Sequence, residues 1–198
     1  MSRIGVATGR VSCLLFSLLI LLSGHSCQPR ASTRSDAYGV TPLMRACFRG
    51  NLKLVRLLIE KGANPNAKTR YGFTPLIYAA SSGDAAVAKL LLEHGAEVNV
   101  TVGQGESPLM EAVSQSNREL AAAFLDQGAD ANVETESGLT SLMMAAKAGD
   151  LHMAKLLVRH GADHHKKVTL GKKWQGFTAI IFAQTNGHAE VEAYLKGL

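Results

Sequence analysis

The sequence predicts an all-α solenoid of five helix–turn–helix repeats, preceded by a signal peptide. Two glycine combs and one recurring frame carry the solenoid. Gly39, Gly72, Gly105 and Gly138 stand thirty-three residues apart, and Gly62, Gly95, Gly128 and Gly161 keep the same step. Between the combs the chain repeats Gly-x-Thr-Pro-Leu, a pair of small residues, a run of Leu and Val, then Gly-Ala. The frame reads Gly39-Val40-Thr41-Pro42-Leu43, Gly72-Phe73-Thr74-Pro75-Leu76, Gly105-Glu106-Ser107-Pro108-Leu109 and Gly138-Leu139-Thr140-Ser141-Leu142. A fifth copy, Gly176-Phe177-Thr178-Ala179-Ile180, follows after thirty-eight residues. One such unit cannot bury its own apolar stripe, so the copies must stack.

Taken in order, the first element is residues 1–26. Arg3 and Arg10 precede the uncharged run Val11 to Leu22, and the small-residue stretch Ser23-Gly24-His25-Ser26 follows. That is the order of a secretory signal peptide. The run is well short of the roughly 20 apolar residues that span a bilayer, which favours export over a retained anchor. Gly24 and Ser26 suit cleavage before Cys27, leaving 27–35 as a flexible linker. A cysteine at that new terminus resembles the acylated cysteine of bacterial lipoproteins, although Gly24 and His25 depart from the usual lipobox. Lipidation at Cys27 and a free thiol in a tail are the two readings.

The repeat domain then runs over 36–198, with repeats at 36–68, 69–101, 102–134, 135–167 and 168–198. In the second, Thr74 caps free amides and Pro75 fits the first helical turn, where no amide partner is needed. Leu76, Ala79 and Ala80 follow at helical spacing, and Gly83 ends the helix. Val87, Leu90, Leu91 and Leu92 mark a second helix that stops at Gly95. Val55, Ala88, Ala121 and Ala154 share a position that becomes Glu192 in the last copy; Ile59, Leu92, Leu125 and Val158 share one that becomes Lys196. A polar outer face there is expected of an end repeat, which is only half covered, and truncating Leu195 in it is expected to cost less than truncating the mid-array Leu91.

The period and the Thr-Pro-Leu signature resemble the ankyrin repeat over residues 36 to 198. The resemblance implies projecting β-turn fingers around the first comb, a concave face lined by residues late in each first helix, and a protein-binding role. Asn66, Asn99 and Asn132 share one loop position, consistent with side-chain bonds that brace each finger. The family's Thr-Pro-Leu-His motif is altered: Met44, Ile77, Met110, Met143 and Ile181 stand where His is usual, so packing is expected to replace the Thr–His bonding.

Composition excludes several classes. Without residues 1–26 the chain holds 19 basic and 16 acidic residues, too mild an excess for a nucleic-acid binder. Cys47 shares its position with Ala80, Val113 and Ala146, which marks a small buried hydrophobe. No disulfide framework, nucleophile elbow, Cys-x-x-Cys or His-Glu-x-x-His is present. His160, His164 and His165 cluster, but a closed metal site needs third and fourth ligands that the spacing does not supply. Asn99-Val100-Thr101 is a glycosylation sequon whose Asn has a structural counterpart in each neighbouring repeat. No enzyme, cofactor or metal is expected.

The family resemblance maps partner binding onto Tyr38, Phe48, Arg70, Tyr71, Phe73, Trp174 and Phe177, together with Val40 and Leu139. Ten aromatics follow residue 26, and six of them fall in this set. Tyr, Phe, Trp and Arg on one face are typical interface anchors. Val40, Leu139 and Phe177 are equally well read as packing finger to finger. The five-residue insertion lies in loop 164–175, with Lys166, Lys167, Lys172, Lys173 and the single Trp; it is read as a solvated loop or as a basic contact for an acidic protein or anionic lipid. The expectation is a monomeric, exported adaptor, periplasmic or membrane-tethered through Cys27, with secretion as second choice. The rival is a secreted effector or an immunity-type inhibitor of an enzyme.

Overall fold

The computed structural model describes residues 35–169 and 174–198, which belong to one compact unit, Ser32–Leu198. The expected signal peptide, Cys27 with nearly all of the linker, and residues 170–173 of the basic loop lie outside the described residues. Among the described residues are ten α-helices in five pairs: α1 (Pro42–Phe48) and α2 (Leu52–Glu60), α3 (Pro75–Ser82) and α4 (Ala85–Glu93), α5 (Pro108–Ser114) and α6 (Arg118–Asp126), α7 (Ser141–Ala148) and α8 (Leu151–Arg159), α9 (Ala179–Thr185) and α10 (Ala189–Lys196). They contain no strand, only an isolated antiparallel bridge between Val102 and Glu106. Each pair packs on itself; α1, α3, α5, α7 and α9 form one row, and α2, α4, α6, α8 and α10 a second.

Local chemistry explains where the first helices begin. Hydroxyls of Thr41, Thr74, Ser107, Thr140 and Thr178 accept the amides of Met44, Ile77, Met110, Met143 and Ile181 at 3.2–3.4 Å. These amides belong to the residues that replace the family's His. Four of the five side chains are buried, with Ile181 half-buried, and in the first helix Met44 Sδ also accepts the Thr41 amide at 3.3 Å. Packing therefore does replace that bonding. Gly83 closes α3 with φ of 72°, a left-handed conformation in which a Cβ would be strained.

Asn51, Asp84, Asn117 and Asp150 cap α2, α4, α6 and α8. The equivalent His188 makes no side-chain cap. Its Nε2 instead lies 3.1 Å from the Lys147 carbonyl of the preceding pair.

The core lies between the two rows. Leu43, Leu76, Leu109 and Leu142 fill it from the first row, and Leu58, Leu91, Phe124, Leu157 and Leu195 from the second. Each such side chain contributes roughly 1.5–3 kcal/mol on burial. The pairs Ala46–Cys47, Ala79–Ala80, Ala112–Val113 and Ala145–Ala146 are buried too, and their small size lets adjacent first helices approach closely. Burial pushes the Cys47 thiol up to about 12, so it is no nucleophile. At the far end, Glu192 Oε1 accepts Gln184 Nε2 at 2.9 Å and Lys196 Nζ at 2.5 Å. The polar end face expected there is present. Leu195, in that half-covered end repeat, is itself fully buried, and α10 packs on α8 and α9.

Candidate protein-interaction surface

The loops between pairs double back as fingers. In the first, second and fourth, the side chains of Asp36, Thr69 and Thr135 accept the amides of Val40, Phe73 and Leu139 at 2.9–3.0 Å. The third finger closes by backbone alone, with Val102 and Glu106 exchanging two bonds of 2.9 Å. Fingers also join one another: Arg70 N donates to Tyr38 O, Glu136 N to Gln104 O and Thr169 N to Ser137 O, at 2.7–3.0 Å.

Asn66, Asn99 and Asn132 do something other than brace their own fingers. Each Nδ2 donates to the glycine carbonyl of the following unit (Gly95, Gly128, Gly161), and each Oδ1 accepts the amide of Glu97, Asp130 or Asp163. They form a ladder between units. A backbone carbonyl of the next copy is invisible to a reading of one copy at a time, which is why the bracing expectation needed this correction. The ladder also engages Asn99 of the glycosylation sequon.

Tyr38 and Tyr71 occupy the tips of the first two fingers, each 55% exposed, with Arg70 exposed beside Tyr71. Phe48 and Phe73 are half-buried and share a neighbour that the sequence reading missed. Tyr78, on α3, meets Phe48 edge-on at 6.3 Å between centroids and Phe73 at 6.1 Å. Its counterparts are Arg45, Glu111, Met144 and Phe182. That variability at one helical position, with an aromatic among them, was the available signal. Six side chains thus gather at one end: Tyr38, Phe48, Arg70, Tyr71, Phe73 and Tyr78.

Trp174 and Phe177 gather at the other end. Both are half-buried and lie edge-on to the buried Phe182, at 5.9 and 5.4 Å, while the Lys147 ammonium sits 4.5 Å from the Trp174 ring centre. Trp174 was expected to project from its loop; it packs on the last helix pair, because Phe182 offers an apolar platform. Val40 is buried and Leu139 is half-buried against the core.

Acidic side chains lie between the two aromatic groups. Burial and the neighbouring Glu111 charge push the Glu106 carboxyl above its ordinary range. Gln115 Nε2 donates to the Ala80 carbonyl at 3.1 Å and to Glu111 Oε1 at 2.9 Å, which ties the third pair to the second. In the basic loop, Lys166 pairs with Glu134, whose hydrogen bond raises the Lys166 pKa. His164 and His165 rings lie 3.9 Å apart, and His160 Nε2 is 3.9 Å from Asp126 Oδ1. Among the described residues no group of three or more His, Cys, Asp or Glu could hold a metal.

No curated protein matches the chain. A family model described as ankyrin repeats (3 copies) matches residues 7–102 and 104–197, and such repeats are generally protein–protein interaction modules, typically without catalytic activity. Paired helices, hydroxyl caps and glycine-closed fingers agree with that match, and the chain belongs to the ankyrin-repeat family.

Proposed function

We propose that the protein is a non-enzymatic adaptor of five ankyrin repeats. It grips a protein partner along its fingers and first helices. The observation that carries this is the pairing of exposed Tyr38 and Tyr71 with the supported ring cluster of Phe48, Phe73 and Tyr78. Tyr spans a large area at low conformational cost, and fingers bonded to one another hold it in place before the partner arrives. Arg70 adds charge at the rim, and Trp174, Phe177 and Lys147 form a second foothold. The signal-like start supports an exported monomer, periplasmic or tethered to the membrane through an acylated Cys27. The mild charge argues against nucleic acid as partner.

The test is quantitative capture from the cell envelope, followed by titration of the captured partner. Tyr71→Ala and Tyr38→Ala should each weaken binding by at least ~2 kcal/mol, the range of interface hot spots. Arg159→Ala, at the end of α8 in the second row of helices, should leave affinity unchanged. Unchanged affinity in both Tyr variants with a loss in Arg159→Ala would place the partner on the opposite face.

A further inference from the structure

The two ends of the helix stack differ in chemistry. The last pair turns Gln184, Glu192 and Lys196 outward, bonded to one another. The first pair turns out Leu54 and Leu57, 38% and 43% exposed. The counterparts of Leu54, namely Val87, Leu120, Met153 and Val191, are buried; of those of Leu57, Leu90 and Ala123 are buried and Leu156 and Tyr194 half-buried. Lys61, the C-cap of α2, follows Leu57 by four residues and Leu54 by seven, so it shares their face, which Lys53 borders; Arg56 lies farther round the helix, beyond Glu60. All three cations are exposed. Glu60 is the one acid on this helix. On α1, Arg45 is paired with Asp36 at 2.7 Å, and Arg49, the C-cap of α1, is exposed. An end that needed only hydration would resemble the far one.

We propose that this end face docks on an anionic lipid surface, with Leu54 and Leu57 entering the headgroup–acyl boundary and Lys53 and Lys61 meeting phosphates. Apolar residues framed by long basic side chains suit that boundary, since the lysine stems lie along the apolar layer while their charges reach the headgroups. Charge selects the occupant. A second copy would set these cations against each other with only Glu60 to offset them. The inference is independent of the groove and of acylation at Cys27, since it uses neither.

Flotation with vesicles tests it, using the full chain and residues 32–198, the compact unit that holds the buried core of the described residues. The vesicles are phosphatidylcholine alone, or phosphatidylcholine with about one-third phosphatidylglycerol. Residues 32–198 should float with the anionic vesicles only and be released by salt. Leu54→Ser with Leu57→Ser, and separately Lys53→Glu with Lys61→Glu, should each lower partitioning at least ~10-fold. Thermal melting should move only modestly, because Leu54 and Leu57 are partly exposed and Lys53 and Lys61 exposed. Several results would overturn the proposal: no flotation of residues 32–198, even if the full chain floats; flotation indifferent to both double variants; or, without flotation, self-association or binding to an acidic protein that the Leu variant abolishes. None of these touches Tyr38 or Tyr71, so the groove reading is judged separately.

Discussion

Asp150 shows how much one side chain does in this stack. Its carboxylate caps α8 by accepting the Met153 amide at 3.0 Å, and it pairs with the Arg118 guanidinium of the preceding pair at 2.9 Å. Burial opposes its charge, but the Met153 amide and Arg118 outweigh that and hold its pKa below the ordinary carboxylate value. A folded-state pKa below the unfolded one means stability present at neutral pH and lost as pH falls through the folded value. Asp150→Asn keeps a capping oxygen and removes the charge. Relative to wild type it should lose about 0.5–1 kcal/mol in urea titrations at pH 7, and the difference should shrink as pH falls and vanish once it is below the folded-state pKa. A difference that persists in acid would assign the effect to cap geometry. Cys47 was legible as a small buried residue from its counterparts alone, because a repeated sequence supplies its own comparison.

At the scale of elements, the fingers are held both by their own turns and by their neighbours. Gly138 takes φ of 81°, and a Cβ there would lie 2.7 Å from the Thr169 amide of the next finger. Its place in the comb was readable; the close approach that requires glycine was not, since it involves the following unit. The same holds for Trp174. Its loop position suggested exposure, whereas contact with Phe182 and Lys147 makes it part of the last pair's packing. Trp174→Ala should therefore destabilise by about 1–3 kcal/mol, as the loss of a half-buried aromatic implies. Tyr71→Ala, at an exposed tip, should stay within about 0.5 kcal/mol. Chemical denaturation of the two variants decides this, and equal losses would remove the distinction between the two aromatic ends.

For the whole molecule, stacking makes stability additive along the row. Leu91 and Leu195 are equally buried, so burial alone predicts similar losses for their Ala variants, about 2–5 kcal/mol each through lost contact and the cavity left behind. Position separates them. Leu91 lies in α4, which contacts α2 and α6 in its row, and its loss should shift the entire unfolding transition. Leu195 lies in α10, which contacts only α8 in that row, so its loss should appear as fraying of α9 and α10. Amide exchange reads this directly. Leu195→Ala should accelerate exchange in α9 and α10 while leaving α4 protected, and uniform acceleration would show that the stack unfolds as one unit. The paired helices, the hydroxyl cap of the first helix, much of the core and the polar far end followed from the sequence alone, because period, capping chemistry and hydrophobic spacing are local properties that each copy states again. Tertiary structure alone decided the rest: Tyr78 as the centre of an aromatic cluster, the Asn ladder between units, Trp174 folded onto Phe182, and Leu54 and Leu57 left facing outward. Each depends on which surface the neighbouring unit covers, and that is a property of the stack.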